Sequence, residues 1–345
     1  MSKRLKENAS NKKRKRKKKK KSGYKVLALF IIYELVFGIL TAPFVLLYGP
    51  FENAKSRFVG TAMGSMHYQW LATMFLSDEK IAQILGTGND NGSEQSDEGG
   101  VNLSNKWDST ITYDILDNNS NFKGHVLTIS NPKRIHVGYT SKLKDENRVG
   151  ETTSKIAMNN DAVAAINGGA FTDEVNTQEW TANGGTPSGV IVTEGNVIYD
   201  DLHGSTTGMV ALTKSGRLIV GQYSLNELLE KDVTEAVSYQ TQILINNGKM
   251  TPIKGDGGEG SAPRTLIGQN KDGNIILAVL DSKNEGSRSA ATIKEAQEVM
   301  YKLGCVTAGT LDGGKSATMY YNDEVVNKPS YAYGERSIPS AIIVK

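Results

Sequence analysis

The segment GTLDGGKS, Gly309–Ser316, has the residues of this chain that best suit chemistry on a phosphate group. It fits the P-loop pattern G-x-x-x-x-G-K-[ST], which binds nucleotide phosphates only between a strand and a following helix. The residues after it, ATMYYNDEVVNK, are β-branched and aromatic around an Asn322-Asp323 turn, which predicts a strand and hairpin. Asp312 would also set a carboxylate against the phosphates. The sequence therefore argues against an NTPase. The Asp312 carboxylate at this strand end then needs a different function.

A second strand end has the same form. The run AVAAINGGAF, residues 162–171, is apolar up to Asn167 and continues with two glycines, as the chain does after Asp312. Each strand tip thus carries a polar side chain followed by backbone that a ligand can approach closely, because glycine has no side chain. The two tips predict substrate-binding residues at Asn167, Gly168, Gly169, Gly313, Gly314, Lys315, Ser316 and Thr318, with the Asp312 carboxylate next to them.

Two arginines and one further acid complete the candidate site. Arg264 lies between the Gly-rich loop 255–263 and a strand start, and Arg336 lies in ERSIPSAIIV. The planar fork of a guanidinium suits a phosphate, although most single arginines are surface residues. Asp281 ends the apolar run NIILAVLD, where a carboxylate is either a second catalytic acid or a turn cap.

Metal and redox chemistry have no pattern in the sequence. The four histidines show no metal-ligand spacing, and there is no HExxH sequence or EF-hand loop. The single cysteine, Cys305, excludes an internal disulfide and does not decide the compartment. We expect no cofactor and no catalytic metal; a structural cation held by Asp and carbonyl oxygens stays open.

The N-terminal segment differs in charge from the rest of the chain. Residues 1–25 hold fourteen Lys or Arg and one acid, whereas the whole chain carries only +3, so the remainder is acidic. Ten consecutive cations at 12–21 are also typical of nucleic-acid-binding tails. The run that follows, VLALFIIYELVFGILTAPFVLLY at 26–48, has Glu34 as its only charge and is long enough to span a bilayer.

That apolar run decides between the alternatives. A cleaved signal peptide would have a shorter apolar core and small residues before its cleavage site. The sequence therefore predicts a transmembrane signal anchor at 26–48, in contact with membrane lipid, and no nucleic-acid partner. Because positive charge stays inside, residues 1–25 are expected in the cytoplasm and the rest outside the cell.

The remainder divides by composition into a mixed apolar segment, a polar segment and a long globular region. Residues 49–85 predict a helical stalk, with Ser77 as a possible N-cap, and the Gly-, Ser- and acid-rich residues 86–106 predict a flexible linker. Residues 107–345 are enough for one core. Hairpins are expected at 189–200, 209–221, 243–253 and 265–281, and helices at 225–232 and 292–304. The predicted class is α+β, with a largely antiparallel sheet and a few packed helices.

Six motifs in order resemble those of the phosphodiester glycosidase family, over roughly residues 110–345. They are NGGAF at 167–171, GGTPSGVIV at 184–192, APRTLIG at 262–268, VLD at 279–281 with ATIKEA at 291–296, LDGGKSATM at 311–319 and ERSIPSAIIV at 335–344. The chain departs from the family pattern at Lys315, which replaces a third glycine, at Ala170, which replaces an aromatic residue, and at Ser282-Lys283, which replaces Gly-Arg. These departures bear on substrate identity more than on the scaffold.

The resemblance implies cleavage of the bond between a sugar and a phosphate. Such a reaction needs a carboxylate at C1, for which we expect Asp312 with Asp281 as the alternate, and stabilisation of the departing phosphate. Arg264, Arg336 and the Gly313–Gly314 N–H groups are expected to bind the phosphate, and Asn167 a sugar hydroxyl. Three functions stay open: a hydrolase of surface glycans, a transferase or assembly factor for exopolysaccharide, and a non-catalytic glycan-binding module. The sugar, the polymer and the oligomeric state are not given by the sequence.

Overall fold

The architecture comes from a computed structural model that describes residues 22–63, 68–85, 95–103, 107–146, 148–172, 183–284 and 289–345. The chain divides into two units, residues 1–55 and residues 56–345. The expected basic tail lies almost wholly outside the described residues, as do parts of the expected linker, at 86–94 and 104–106.

The first unit contains one long apolar helix, α1, Ser22–Tyr48. Residues 23–48 are long and apolar enough to cross a membrane, and no other helix in the described part of the chain meets that test. A signal sequence near an N-terminus would also meet it. The predicted apolar run at 26–48 is therefore helical, and it is either a membrane anchor or a signal sequence.

Among the described residues six shorter helices follow, and the two that the sequence predicts in the globular region are both present. They begin at capping boxes, Ser224 with Glu227 and Thr292 with Glu295, in which each side chain satisfies a free backbone N–H at the helix start. The helices are α2 Glu52–Met63, α3 Trp70–Thr73, α4 Asp78–Leu85, α5 Thr153–Asn159, α6 Leu225–Glu230 and α7 Ile293–Lys302.

All strand pairings among the described residues are antiparallel. The strands are β1 Ile111–Leu116, β2 Phe122–Ile129, β3 Ile135–Tyr139, β4 Ala164–Asn167, β5 Phe171–Thr172, β6 Thr186–Pro187, β7 Val190–Thr193, β8 Asn196–Asp200, β9 Thr207–Thr213, β10 Leu218–Tyr223, β11 Val233–Ser238, β12 Ile243–Asn246, β13 Lys249–Met250, β14 Arg264–Asn270, β15 Ile275–Ser282, β16 Cys305–Leu311, β17 Met319–Tyr321, β18 Glu324–Val325 and β19 Ser340–Val344. The four predicted hairpins are confirmed as β7–β8, β9–β10, β12–β13 and β14–β15.

The strands form three main sheets. Sheet I has the order β1-β2-β15-β14-β16-β12-β13, sheet II the order β10-β9-β11-β7-β8, and sheet III the order β18-β17-β4-β19-β3. Strands β5 and β6 make a separate pair. The predicted single sheet is thus three sheets, and the α+β class is confirmed.

One apolar core lies between the three sheets. Alternate residues of a strand point to opposite faces, so each sheet gives one face to this core and the other to a helix. Leu277 of sheet I, Val210 of sheet II and Ile166 of sheet III belong to the shared cluster. Helix α7 covers the outer face of sheet I, α6 that of sheet II and α5 that of sheet III. This arrangement brings strand ends from different sheets close together.

Part of the expected linker contacts the domain. The Ser96 N–H donates to Val220 O at 2.7 Å, and the Asp97 N–H donates to Asn246 Oδ1 at 2.7 Å. Gln95 forms an isolated bridge with Gly221 on β10, which is the edge strand of sheet II. Composition did not predict this, because an edge strand binds through its backbone and needs no apolar side chain from its partner.

Candidate active site

Three strand ends, one from each sheet, bring the candidate residues together. Strand β4 of sheet III ends at Asn167, β16 of sheet I ends just before Asp312, and β11 of sheet II ends just before Tyr239. The sequence predicted the first two ends and missed the third. The amide therefore lies in a strand, and the carboxylate and the phenol follow directly after strand ends, which hold them more rigidly than a long loop would.

The Asn167 side chain links sheets I and III. Its Nδ2 donates to the Asp312 carbonyl at 2.5 Å, and its Oδ1 accepts from Thr265 Oγ1 at 2.7 Å and from the Thr318 N–H at 3.1 Å. The residue is fully buried. We expected it to bind a sugar hydroxyl; its geometry instead makes it a positioning residue that fixes the backbone at Asp312.

The Asp312 carboxylate lies near a phenol that stays protonated. Asp312 is only partly buried, so the residue keeps some exposure to solvent. Burial raises the pKa of Tyr239 well above its ordinary value, the Glu259 and Asp312 charges raise it further, and Arg264 and the Gly313 N–H oppose this. Tyr239 is therefore a hydrogen-bond donor beside the candidate catalytic carboxylate at neutral pH.

The turn after Asp312 has no P-loop geometry. Residues Gly314–Ser316 form one 3-10 turn, and strand β17 follows at Met319, which confirms the predicted strand and hairpin. Gly314 has φ +59°, a conformation that favours glycine, and its N–H donates to Pro263 O at 2.8 Å. This N–H group, which we expected to bind a phosphate, is thus already engaged by the protein.

The glycines after Asn167 also have a packing role. A Cβ at Gly168 would lie 2.7 Å from Ser340 O, and one at Gly169 would lie 2.4 Å from Ser238 O. Their N–H groups donate to Ser340 O and Ser340 Oγ. We expected these two glycines to admit a ligand; they allow backbone segments from sheets II and III to approach each other instead.

Arg264 is buried and engaged by its own neighbourhood. Its guanidinium pairs with the Glu259 carboxylate, donates to Gly260 O at 2.7 Å and donates to Ala291 O at 3.1 Å. Glu259 also accepts from Gln242 Nε2 at 3.0 Å. The expected phosphate grip by Arg264 is therefore replaced by a structural role, in which it holds the Gly-rich loop beside the Asp312 turn.

Replacing Arg264 by Lys is expected to destabilise the domain by about 3 kcal/mol, because one ammonium cannot reproduce the three-way grip and leaves Glu259 poorly paired. Urea unfolding with a fluorescence readout measures the change. Arg217, whose guanidinium lies on an exposed surface contact with Glu98, provides the matched control Arg217→Lys, expected within about 0.5 kcal/mol of wild type. Equal stability of both variants would contradict the role of Arg264.

Asp281 belongs to a separate buried network. Its Oδ2 accepts from the Lys328 N–H at 2.6 Å, and its Oδ1 lies 3.6 Å from His125 Nε2. His125 Nδ1 lies 2.7 Å from the Tyr113 hydroxyl. Burial and the Asp281 charge raise the pKa of Tyr113. Asp281 therefore anchors the segment that begins at Lys328, and this burial disfavours it as the alternate catalytic acid.

The remaining predicted residues surround the Asp312 turn. Arg336 is partly buried and stacks on Phe171, with 4.6 Å between guanidinium carbon and ring centroid. Lys315 is exposed, and its Nζ lies 6.0 Å from the Tyr331 ring centroid. Ser316 Oγ is buried with no hydrogen-bond partner among the described residues, and the Thr318 side chain is buried. Lys315 is therefore the exposed cation of this turn.

Sequence reasoning missed Tyr239, Glu259 and His125. Glu259 stands within the loop GDGGEGSAP, five residues before Arg264, and a charge pair at that spacing was a usable signal. Tyr239 follows the run VTEAVS, which includes Glu235, and no glycines mark its strand end, so it lacks the signal that Asn167 and Asp312 have. His125 lies inside strand β2, and its side chain comes close to Asp281 because β2 pairs with β15. The sequence does not show this pairing.

Comparison with known proteins first defines the fold class. The zebrafish N-acetylglucosamine-1-phosphodiester alpha-N-acetylglucosaminidase catalytic domain, auto-inhibited by its pro-peptide, aligns with TM-score 0.54 and 20% identity, over 70% of this chain and 84% of that one. A hypothetical protein from Synechocystis aligns with TM-score 0.49 and 15% identity, over 68% and 62%. At these identities the zebrafish likeness shows a shared fold.

The family follows from the sequence itself. The family model described as phosphodiester glycosidase matches residues 160–345, which is more than half of the chain, and the chain belongs to that family. No curated protein matches this chain. The matched region includes Asn167, Tyr239, Arg264 and Asp312, so the resemblance inferred from the six motifs is confirmed.

Proposed function

We propose that this chain is a membrane-anchored hydrolase that cleaves sugar-1-phosphate diesters in glycans outside the cell. The observation that carries the proposal is the partly exposed Asp312 carboxylate beside the protonated Tyr239, within the region that matches the phosphodiester glycosidase family. An acid that stays accessible beside a hydrogen-bond donor suits hydrolysis at a sugar carbon.

In the proposed reaction Asp312 acts at C1 of the sugar. The C1–O bond to phosphorus breaks, and its electron pair stays on the departing phosphate oxygen. Water supplies the oxygen that ends on C1, and its proton passes to Asp312 and then to solvent. A phosphate monoester is already a stable anion, so the reaction needs charge stabilisation more than a strong acid.

The departing phosphate faces two suitable donors. Lys315 is exposed on the turn that follows Asp312, and its ammonium gives the site a cation where the family pattern described above has a third glycine. The Tyr239 hydroxyl donates a hydrogen bond without losing its proton, because its pKa is raised. In this proposal these two groups replace Arg264 and the Gly314 N–H, which the protein already engages. Arg336 and the Gly313 N–H belonged to the same phosphate-binding set that the sequence predicted.

Product analysis tests the function. The full chain in detergent is incubated with a diester of N-acetylglucosamine-1-phosphate, with and without a glycan acceptor. Free sugar in both samples supports the hydrolase. A new glycoside that appears only with the acceptor supports the transferase, and saturable binding without product supports a glycan-binding module.

The anomeric form of the released sugar, read by proton NMR within the first minutes, reports how Asp312 acts. Retention indicates that the carboxylate attacks C1 and forms a covalent intermediate, whereas inversion indicates that it activates water directly.

Anchoring rests on helix α1 and on the cations before it. Residues 12–21 are all Lys or Arg and precede a helix long enough to span the bilayer, which favours an anchor with its N-terminus in the cytoplasm. Carbonate extraction of membranes tests this proposal. An anchored chain stays in the pellet at full length, whereas a chain with a cleaved signal sequence is released and lacks both the basic tail and α1.

A further inference from the structure

The segment Lys328–Arg336 lies beside the Asp312 turn and is held at its first end by two contacts. The Lys328 N–H donates to buried Asp281 at 2.6 Å, and Ser330 Oγ donates to Gly314 O at 3.1 Å. The second of these contacts joins the segment directly to the turn. Its start is therefore fixed next to the candidate active site.

The other end of the segment is held as well. Glu335 Oε2 accepts from the Ser154 N–H at 2.9 Å, in the first turn of helix α5, and Arg336 stacks on Phe171. A tight turn closes the middle, where the Gly334 N–H donates to Tyr331 O at 3.1 Å and Gly334 has φ +94°. The segment thus presents its central side chains on a fixed backbone.

Those central side chains are two aromatic rings, of which Tyr331 is partly buried and Tyr333 faces solvent. The rings of Tyr331 and Tyr333 have centroids 5.6 Å apart at an interplanar angle of 71°, and Tyr333 is 87% exposed. An exposed ring adds little to folding, since it buries little apolar area. Rigid tyrosines are, however, well suited to binding, because they offer a large apolar face and a hydroxyl at small entropic cost.

A cation completes the group. Lys315, on the turn itself, places its ammonium 6.0 Å from the Tyr331 ring centroid. The set therefore combines two aromatic rings with one positive charge, a few residues from Asp312. A sugar ring has apolar C–H faces for the aromatic rings and hydroxyls for the phenols, and a phosphate attached to it would meet Lys315.

We propose that Tyr331, Tyr333 and Lys315 form a subsite for the glycan unit that leaves with the phosphate. This inference rests on the proposed function and adds the substrate class: the preferred diester carries an oligosaccharide, not a small alcohol, on its phosphate. We expect the occupant to be a sugar because the two tyrosines lie on a segment that contacts the turn holding Asp312. Lys315, which would bind the phosphate, lies on that turn beside Tyr331.

Kinetics with two diesters test the subsite. Both are diesters of N-acetylglucosamine-1-phosphate, one with methanol and one with an oligosaccharide, and the full chain is used in detergent. Tyr331→Ala and Tyr333→Ala are each expected to lower kcat/KM for the oligosaccharide diester about tenfold more than for the methyl diester, mainly through KM. Tyr331→Phe, which keeps the ring, should restore most of the preference.

The control is Tyr301→Ala on helix α7. Tyr301 is 51% exposed and lies outside the segment and the turn, so this variant should keep the wild-type preference. Equal losses on both diesters in the Tyr331 and Tyr333 variants would overturn the subsite, because they would indicate a general distortion of the turn. An unchanged preference would overturn it as well.

A binding measurement separates failure of the subsite from failure of the proposed function. Calorimetry measures the affinity of the oligosaccharide phosphate monoester, which needs no turnover. If wild type cleaves neither diester, the proposed function fails, while weaker monoester binding in both alanine variants still supports the subsite. Unchanged monoester binding in both variants would overturn the subsite. The aromatic rings would then be assigned to contact with a protein or a lipid surface.

Discussion

Replacing Asp312 by Asn is expected to lower turnover of a sugar-1-phosphate diester by about 10³-fold or more and to leave the fold intact. Asparagine keeps the shape of the side chain and the backbone carbonyl that Asn167 binds, but it removes the negative charge that acts at C1. Turnover is measured by release of free sugar, and the fold by circular dichroism and thermal unfolding. Normal activity in this variant would rule out Asp312 as the catalytic carboxylate.

Asp281→Asn is the matched control for that experiment. Asp281 is buried and accepts the Lys328 N–H, so its replacement removes a charge of the same type from a network outside the Asp312 turn. We expect a loss of about 2 kcal/mol in stability and a much smaller loss of turnover than in Asp312→Asn. The reverse order of turnover would make Asp281 the catalytic acid and would exchange the two assignments.

Replacing Asn167 by Ala is expected to lower the free energy of unfolding by about 3 kcal/mol, because the side chain is fully buried and holds three hydrogen bonds. The change leaves the Thr318 N–H and the Asp312 carbonyl without their buried partner. Turnover should fall by about 100-fold, since Asp312 is no longer held in place. Urea unfolding and sugar release measure the two effects.

A double-mutant cycle with Thr265→Val shows whether Asn167 acts through the network. The Thr265 hydroxyl donates to Asn167 Oδ1 at 2.7 Å, so the two single changes should be non-additive by about 1 kcal/mol. If Asn167 instead binds a sugar hydroxyl, as the sequence first indicated, Asn167→Ala would raise KM and leave stability unchanged.

Local patterns predicted most elements of the fold. Turn residues such as Asn247-Gly248 and Asp272-Gly273 specify hairpins between residues close in sequence, and the capping box at Thr292 specifies the start of α7. The number of sheets could not be predicted in this way. Strands such as β3, β4 and β19 join a sheet through pairings between distant residues, and single-sequence periodicity has no information on those partners.

The sequence indicated which residues lie near the candidate site better than it indicated what those residues do. Asn167, Arg264 and Asp312 do lie around one turn, because strand ends with polar residues meet where the sheets meet. Their roles depend on burial and on hydrogen-bond partners. Arg264 suits a phosphate by its chemistry, but the Glu259 carboxylate, Gly260 O and Ala291 O occupy its donors, and no sequence pattern shows which donors are already used.

Sheet III pairs strands that are far apart in the sequence, and this separation determines when the site can form. Its strand β4, which ends in Asn167, pairs with β17 and with β19, and Asn167 itself lies opposite Ala341. A ribosome makes β4 long before β19, so the nascent chain holds Asn167 without its pairing partner until the last strand has emerged. Pairings over such separations also close slowly. Catalytic competence should therefore arise late and all at once, only after β19 has been made, and chains that stop before β19 should be inactive.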